Sequence, residues 1–271
     1  MENKIVISGC SASKAGSDNN PSINWVTYLD KKYNYNIKQM AVAGQSNESI
    51  TKKIYEFITQ NNSKDCIFVC QLTYTHRIGW YHQNAKMWID YQPNFINPIP
   101  EFDEETNKIY FPYTYENLPK NSDWLFPNKN VTETEYEELT KMYRTWLTYV
   151  YDEDEMFKQL MYKVDLLNAF VEKTNNKIFF IYWPNTNNDF EYNELQKRNF
   201  FNVENQYSIL KWSTKNKLVC KTTHLSDDGQ VIFSELIDKK LKEYKNISKY
   251  INTDNVLSEE EIKKFFMKKL L

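Results

Sequence analysis

Short apolar runs recur along the chain, each closed by glycine, proline or small polar residues. Ile5-Val6-Ile7 runs into Ser8-Gly9-Cys10-Ser11, Ile37 to Val42 ends at Ala43-Gly44, and Cys66 to Leu72 ends at Thr73. Lys177 to Trp183 stops at Pro184-Asn185, and Lys217 to Cys220 is a fifth, shorter run. Runs of this length, rich in β-branched and aromatic residues, predict strands buried on both faces. Between them the spacing changes to the helical period. Ile50, Ile54, Phe57 and Ile58 share one helical face, with Ser46 or Asn47 as its N-cap. Met156, Leu160, Val164, Leu167 and Val171 form a second stripe, opened by Asp152-Glu153-Asp154-Glu155. Val231, Ile232, Leu236, Ile237 and Leu241 form a third. Further helices are expected over 22–31, 132–149 and 191–197. Strands alternating with helices predict a parallel sheet covered on both faces.

From Ile78 to Asn130 the periodicity fails. This stretch carries six prolines, from Pro93 to Pro127, among Trp, Tyr, Phe and Asn. A loop of this length inside a compact domain is usually functional, and it reads as an aromatic insertion folded over the strand ends. The expected organisation is one α/β domain over 1–248, with 78–176 as insertion and helices. A helical tail over 249–271 follows, opened by the capping box Ser258-Glu259-Glu260-Glu261.

Composition narrows the function classes. The chain has 271 residues, 41% hydrophobic and 16% aromatic, enough for a substantial core. A net charge of −2 gives no footprint for nucleic acid. No apolar run reaches the length of a membrane span. The four cysteines lack metal-type spacing and read as reduced thiols; the reading as a whole implies no metal or organic cofactor. Met1-Glu2-Asn3-Lys4 leads straight into a strand without a leader pattern, so the expected location is cytoplasmic.

The chemistry gathers at the strand ends. In an open parallel sheet the carboxyl ends of the strands share one edge, where ligands bind. Gly9-Cys10-Ser11, Gly44-Gln45-Ser46-Asn47 and Gln71-Leu72-Thr73 all fall there, and His224 precedes the last domain helix. Nucleophilic catalysis needs a nucleophile, a base that takes its proton and preorganised oxyanion donors. Ser11, His224 and the Gly44 backbone N–H are candidates for the three.

These blocks, Gly9-Cys10-Ser11-Ala12-Ser13, Gly44-Gln45-Ser46-Asn47 and His224-Leu225-Ser226-Asp227-Asp228-Gly229, resemble the SGNH/GDSL hydrolases in their divergent, bacteriophage-type branch. The resemblance spans roughly 4–77 and 177–243. It implies a flavodoxin-like three-layer α/β/α sandwich and ester hydrolysis through an acyl-enzyme. Ser11 matches the nucleophile, His224 the general base and Gly44 the oxyanion donor of the second block. Thr73 takes the side-chain oxyanion position of the third, with Asn47 as a spatial substitute. A small ester or a glycan O-acetyl group is the substrate implied.

The chain departs from the family pattern in three places. Cys10 stands where an Asp is common, Thr73 replaces an amide, and Lys221 and Thr222 occupy the positions that usually supply the acid behind the histidine. Asp227 and Asp228 read as helix-start residues. His76 and Arg77 leave the third strand and are candidates for substrate contact, Arg77 for an anionic or polar group. Gly9 to Ser17 superficially suggests a phosphate loop, but Lys14-Ala15 breaks its spacing. The alternative to an enzyme is a binding or virion-associated module on the same scaffold.

Overall fold

The computed structural model describes residues 4–14, 24–42, 44–82, 87–91, 101–103, 108–110, 150–186, 188–220 and 224–244, with scattered positions between 134 and 149. Its strands are β1 (Ile5–Ser8), β2 (Ile37–Gln39), β3 (Ile67–Leu72), β4 (Ile78–His82), β5 (Met87–Tyr91), β6 (Glu101–Asp103), β7 (Lys108–Tyr110) and β8 (Lys177–Tyr182). The helices are α1 (Ser11–Lys14), α2 (Trp25–Tyr33), α3 (Asn47–Asn61), α4 (Glu153–Lys173), α5 (Asp189–Gln196), α6 (Ile209–Lys215) and α7 (Asp227–Lys242).

The central sheet is parallel, in the order β2-β1-β3-β8. Ile5 lies opposite both Ile37 and Ile67, and Val69 lies opposite both Ile7 and Phe179. Every residue of β1 and β3 is buried, as their unbroken apolar runs require.

Ring contacts show what covers each face. On one face Phe68 meets Phe57 of α3 at 6.0 Å and Tyr182 meets Phe157 of α4 at 5.8 Å, centroid to centroid. On the other, Phe179 meets Phe201 at 6.3 Å, and Phe201 meets Phe233 of α7 at 6.0 Å. Phe233 in turn takes the edge of Trp25 of α2 at 5.3 Å. The fold is a three-layer α/β/α sandwich in the doubly wound order, as the alternating pattern predicts.

Helix starts follow the side chains at their caps. Ser46, Asp152 and Ser226 each accept a backbone N–H three residues on. Asp227 and Asp228 occupy the first turn of α7, as expected. Of the segment 132–149, positions 134, 138, 141, 142, 145, 146 and 149 are described, and they are helical.

Four expectations need correction. Lys217 to Cys220 is not a sheet strand. Lys217 adopts a left-handed φ of 56°, and Val219 makes only an isolated antiparallel bridge to Leu225. The position beyond β8 is met by isolated parallel bridges at Phe200 and Ser208 instead. β2 stops at Gln39, although the Met40 and Val42 N–H groups still donate to Ile7 and Gly9. The region read as an aperiodic loop contains two antiparallel pairs, β4 with β5 and β6 with β7. Finally, α6 follows a segment in which no helix was expected. The proposed tail over 249–271 lies outside the described residues.

Candidate active site

β1 and β3 are neighbours from which the chain winds in opposite directions, so their carboxyl ends flank the switch point of the sheet. The turn after β1 is locked from β3. A Cβ on Gly9 would lie 2.8 Å from Gln71 Oε1 and 2.9 Å from Gln71 Cβ, so only glycine lets the two chains approach this closely. Gln71 Oε1 accepts from the Cys10 N–H at 3.0 Å and from the Ser13 hydroxyl at 3.2 Å. Its Nε2 donates to the Leu72 carbonyl at 2.7 Å. Cys10, Ala12 and Ser13 are buried in this turn, whereas Ser11, the first residue of α1, is only half-buried. Ser11 therefore presents the accessible hydroxyl of the turn.

The turn after β2 is held in the same way. Gly44 is buried at a φ of 79°, a conformation that favours glycine. Three residues on, Asn47 reaches across to the end of β3. Its Oδ1 accepts the Thr73 N–H at 2.8 Å and its Nδ2 donates to the Thr73 carbonyl at 3.0 Å. The amide thus pairs with the Thr73 backbone as a strand would. These bonds set the spacing between the Gly44 turn and Thr73. Thr73 itself is fully buried, and the polar group its hydroxyl interacts with is the Cys10 thiol.

His224 stands three residues before α7 and is half-buried. Its carbonyl accepts the Cys220 N–H at 2.8 Å, which closes the loop that carries it. A chain of hydrogen bonds joins this loop to the Ser11 turn. The Trp25 indole N–H donates to the Ala12 carbonyl at 3.0 Å. The Trp25 backbone N–H donates to Gln230 Oε1 at 2.7 Å, and Gln230 Nε2 donates to the Leu225 carbonyl at 3.2 Å. Ala12 is next to Ser11 and Leu225 is next to His224, so one tryptophan and one glutamine tether both turns. Sequence reasoning missed Gln71, Gln230 and Trp25. A lone Gln in the otherwise apolar run Cys66 to Leu72 was the one available signal.

His76 and Arg77 follow β3 by a single turn. The His76 ring stacks on Tyr74 at 5.2 Å and 25°. Burial, helped by the Arg77 cation, pulls its pKa down to about 3, so the ring is neutral at physiological pH. Burial pushes the Tyr74 phenol up to about 12, against the pull of the same cation. Burial also works against a Cys10 thiolate, but the Arg77 charge, the Ala12 N–H and the Gln71 and Thr73 side chains together hold that thiol below its usual value. The Arg77 field therefore reaches the residue before Ser11. None of the four cysteines is joined in a disulfide. Among the described residues no cluster of His, Cys, Asp and Glu could hold a metal ion.

The depressed His76 pKa has a sign that can be tested. Between about pH 6.5 and 3 the unfolded chain binds a proton at His76 that the fold refuses, so stability falls with pH across that window. His76→Gln is expected to reduce the drop in urea midpoint between pH 7 and 5, where few carboxylates titrate. An unchanged drop would show that His76 is not held neutral.

No family model and no curated protein matches the chain. Solved structures similar to it in outline include the psychrotrophic esterase EstA from Pseudoalteromonas sp., inhibited by monoethylphosphonate, at 11% identity over 89% of this chain and 98% of that one, with a TM-score of 0.46. The protein YxiM from Bacillus subtilis matches at 11% identity over 90% of this chain and 57% of that one, with a TM-score of 0.44. A lipase/acylhydrolase from Enterococcus faecalis matches at 10% identity over 89% and 96%, with a TM-score of 0.33.

Proposed function

We propose that the chain is a serine ester hydrolase of SGNH type. Ser11 Oγ attacks the ester carbonyl and His224 takes its proton. The Gly44 and Ser11 N–H groups and the Thr73 hydroxyl stabilise the oxyanion. Collapse of the intermediate breaks the bond to the alcohol, which leaves with the proton from His224. Water, deprotonated by His224, then attacks the acyl-enzyme carbonyl and frees Ser11 and the acid. The substrate proposed is a small ester, with a glycan O-acetyl group as the class that the block resemblance suggests. The reaction needs no metal or organic cofactor.

One observation carries this reading. The hydrogen-bond chain from Ala12 through Trp25 and Gln230 to Leu225 holds the accessible Ser11 turn and the His224 loop in one framework. The turn that exposes Ser11 and the loop that bears His224 are thereby fixed relative to each other, as a nucleophile and its base must be. The test is p-nitrophenyl acetate hydrolysis by the wild type and His224→Ala. The variant is expected to lose about 10²- to 10⁴-fold in kcat, the contribution of a general base. A wild-type rate in the variant, or no turnover by either protein, would contradict the reading and favour a binding module.

A further inference from the structure

Arg77 carries a charge that the described fold does not neutralise. Its Nε and Nη1 are buried and have no hydrogen-bond partner. Its contacts among the described residues are with uncharged groups. The guanidinium sits over the Tyr74 ring, 5.4 Å from the centroid, and the backbone N–H donates to the Tyr74 carbonyl at 3.2 Å. Its neighbour His76 is neutral at physiological pH, and no carboxylate pairs with Arg77 among the described residues. A guanidinium cannot shed its proton to escape burial. Arg77 is half-buried as a residue, and its two buried, unpaired donors are unfavourable unless an acceptor meets them.

The place of this charge is informative. Arg77 stands four residues after Thr73, whose buried hydroxyl interacts with the Cys10 thiol. The unmet Arg77 donors therefore lie at the end of β3, beside the strand that delivers Ser11. A reaction oxyanion exists only fleetingly, whereas an anionic group of the substrate meets the charge for the whole life of the complex. The fork of the guanidinium suits a carboxylate in particular.

We propose that Arg77 binds a carboxylate of the substrate, so that the site takes negatively charged esters in preference to neutral ones. This rests on the serine hydrolase reading for turnover, but binding can be tested apart from it. Two pairs of esters isolate the charge: monomethyl adipate against methyl hexanoate, with the charge in the acid half, and acetoxyacetate against ethyl acetate, with the charge in the alcohol half.

In the wild type, one charged ester is expected to exceed its neutral partner about tenfold or more in kcat/KM, the value of a charge-assisted hydrogen bond. Arg77→Met should erase that ratio, chiefly through KM, and Arg77→Lys should restore part of it. A ratio near one in the wild type for both pairs, or a ratio unaltered by Arg77→Met, overturns the proposal. Calorimetric titration of Ser11→Ala with the same two charged esters needs no turnover. Binding of either ester that weakens about tenfold when Arg77→Met is added supports the carboxylate site even if the protein hydrolyses nothing. No binding of either ester overturns it.

Discussion

Replacing Ser11 by alanine is expected to lower kcat for p-nitrophenyl acetate by about 10³-fold or more while leaving the fold intact. Loss of a nucleophile removes the covalent route entirely, and what remains is binding and any preorganised oxyanion donors. The expectation is specific to this hydroxyl because its neighbours are committed elsewhere. Ser13 is buried, and its hydroxyl donates to Gln71 Oε1 at 3.2 Å. Ser8 is buried on the opposite face of the sheet, where its hydroxyl donates to the Ile50 carbonyl at 2.9 Å. Ser13→Ala should therefore cost only about 1 kcal/mol of stability, the net value of one hydrogen bond, and retain most of the turnover. Comparable losses in the Ser11 and Ser13 variants would mean that the turn, and not one nucleophile, sets the rate.

Asn47→Ala is expected to be the most damaging single change to the site that touches no reacting group. It leaves the Thr73 N–H and carbonyl buried and unpaired, a cost of about 1–3 kcal/mol for each. The total, roughly 2–6 kcal/mol, is a large fraction of the stability of an ordinary domain. The start of α3 also loses its anchor on β3, so the Gly44 turn and Thr73 are no longer held at a fixed spacing. Chemical denaturation should show the lost stability, and kcat should fall in the molecules that remain folded. Asn47→Asp keeps the acceptor for the Thr73 N–H but loses the donor to the carbonyl, so its loss should be intermediate. Wild-type stability in Asn47→Ala would show that water replaces the amide there.

The parts of this fold that were legible from the chain are those whose physics is local. β1, β3 and β8 are continuous runs of β-branched and aromatic residues, and such runs are buried strands wherever they occur. The cap at Ser46, for which Asn47 was the alternative, depends on a bond only three residues long, and the acidic first turns of α4 and α7 answer to the local helix dipole. Ser11 and Gly44 stood out because each closes such a run, and Gly44 does take the left-handed φ that justifies a glycine.

The parts that were not legible depend on distant partners. Gln71 matters through Cys10, 61 residues away, and Gln230 through Trp25, 205 residues away. An amide in a strand or a helix carries no sign of such a bond. Lys217 to Cys220 failed as a strand for the converse reason. Its apolar character is right, but the left-handed Lys217 and the local bridge from Val219 to Leu225 turn the segment into the base of the His224 loop. The pairs β4 with β5 and β6 with β7 are too short to impose a period on a stretch punctuated by proline.

The central claim is that the Ser11 turn and the His224 loop make one nucleophilic site. The most direct measurement is labelling with a fluorophosphonate, which reacts only with a serine whose hydroxyl is activated, followed by mass-spectrometric mapping of the modified peptide. One adduct per chain on Ser11, with labelling markedly slowed in His224→Ala, is the predicted result. Absence of an adduct, or an adduct on Ser11 that forms equally fast without His224, would contradict it.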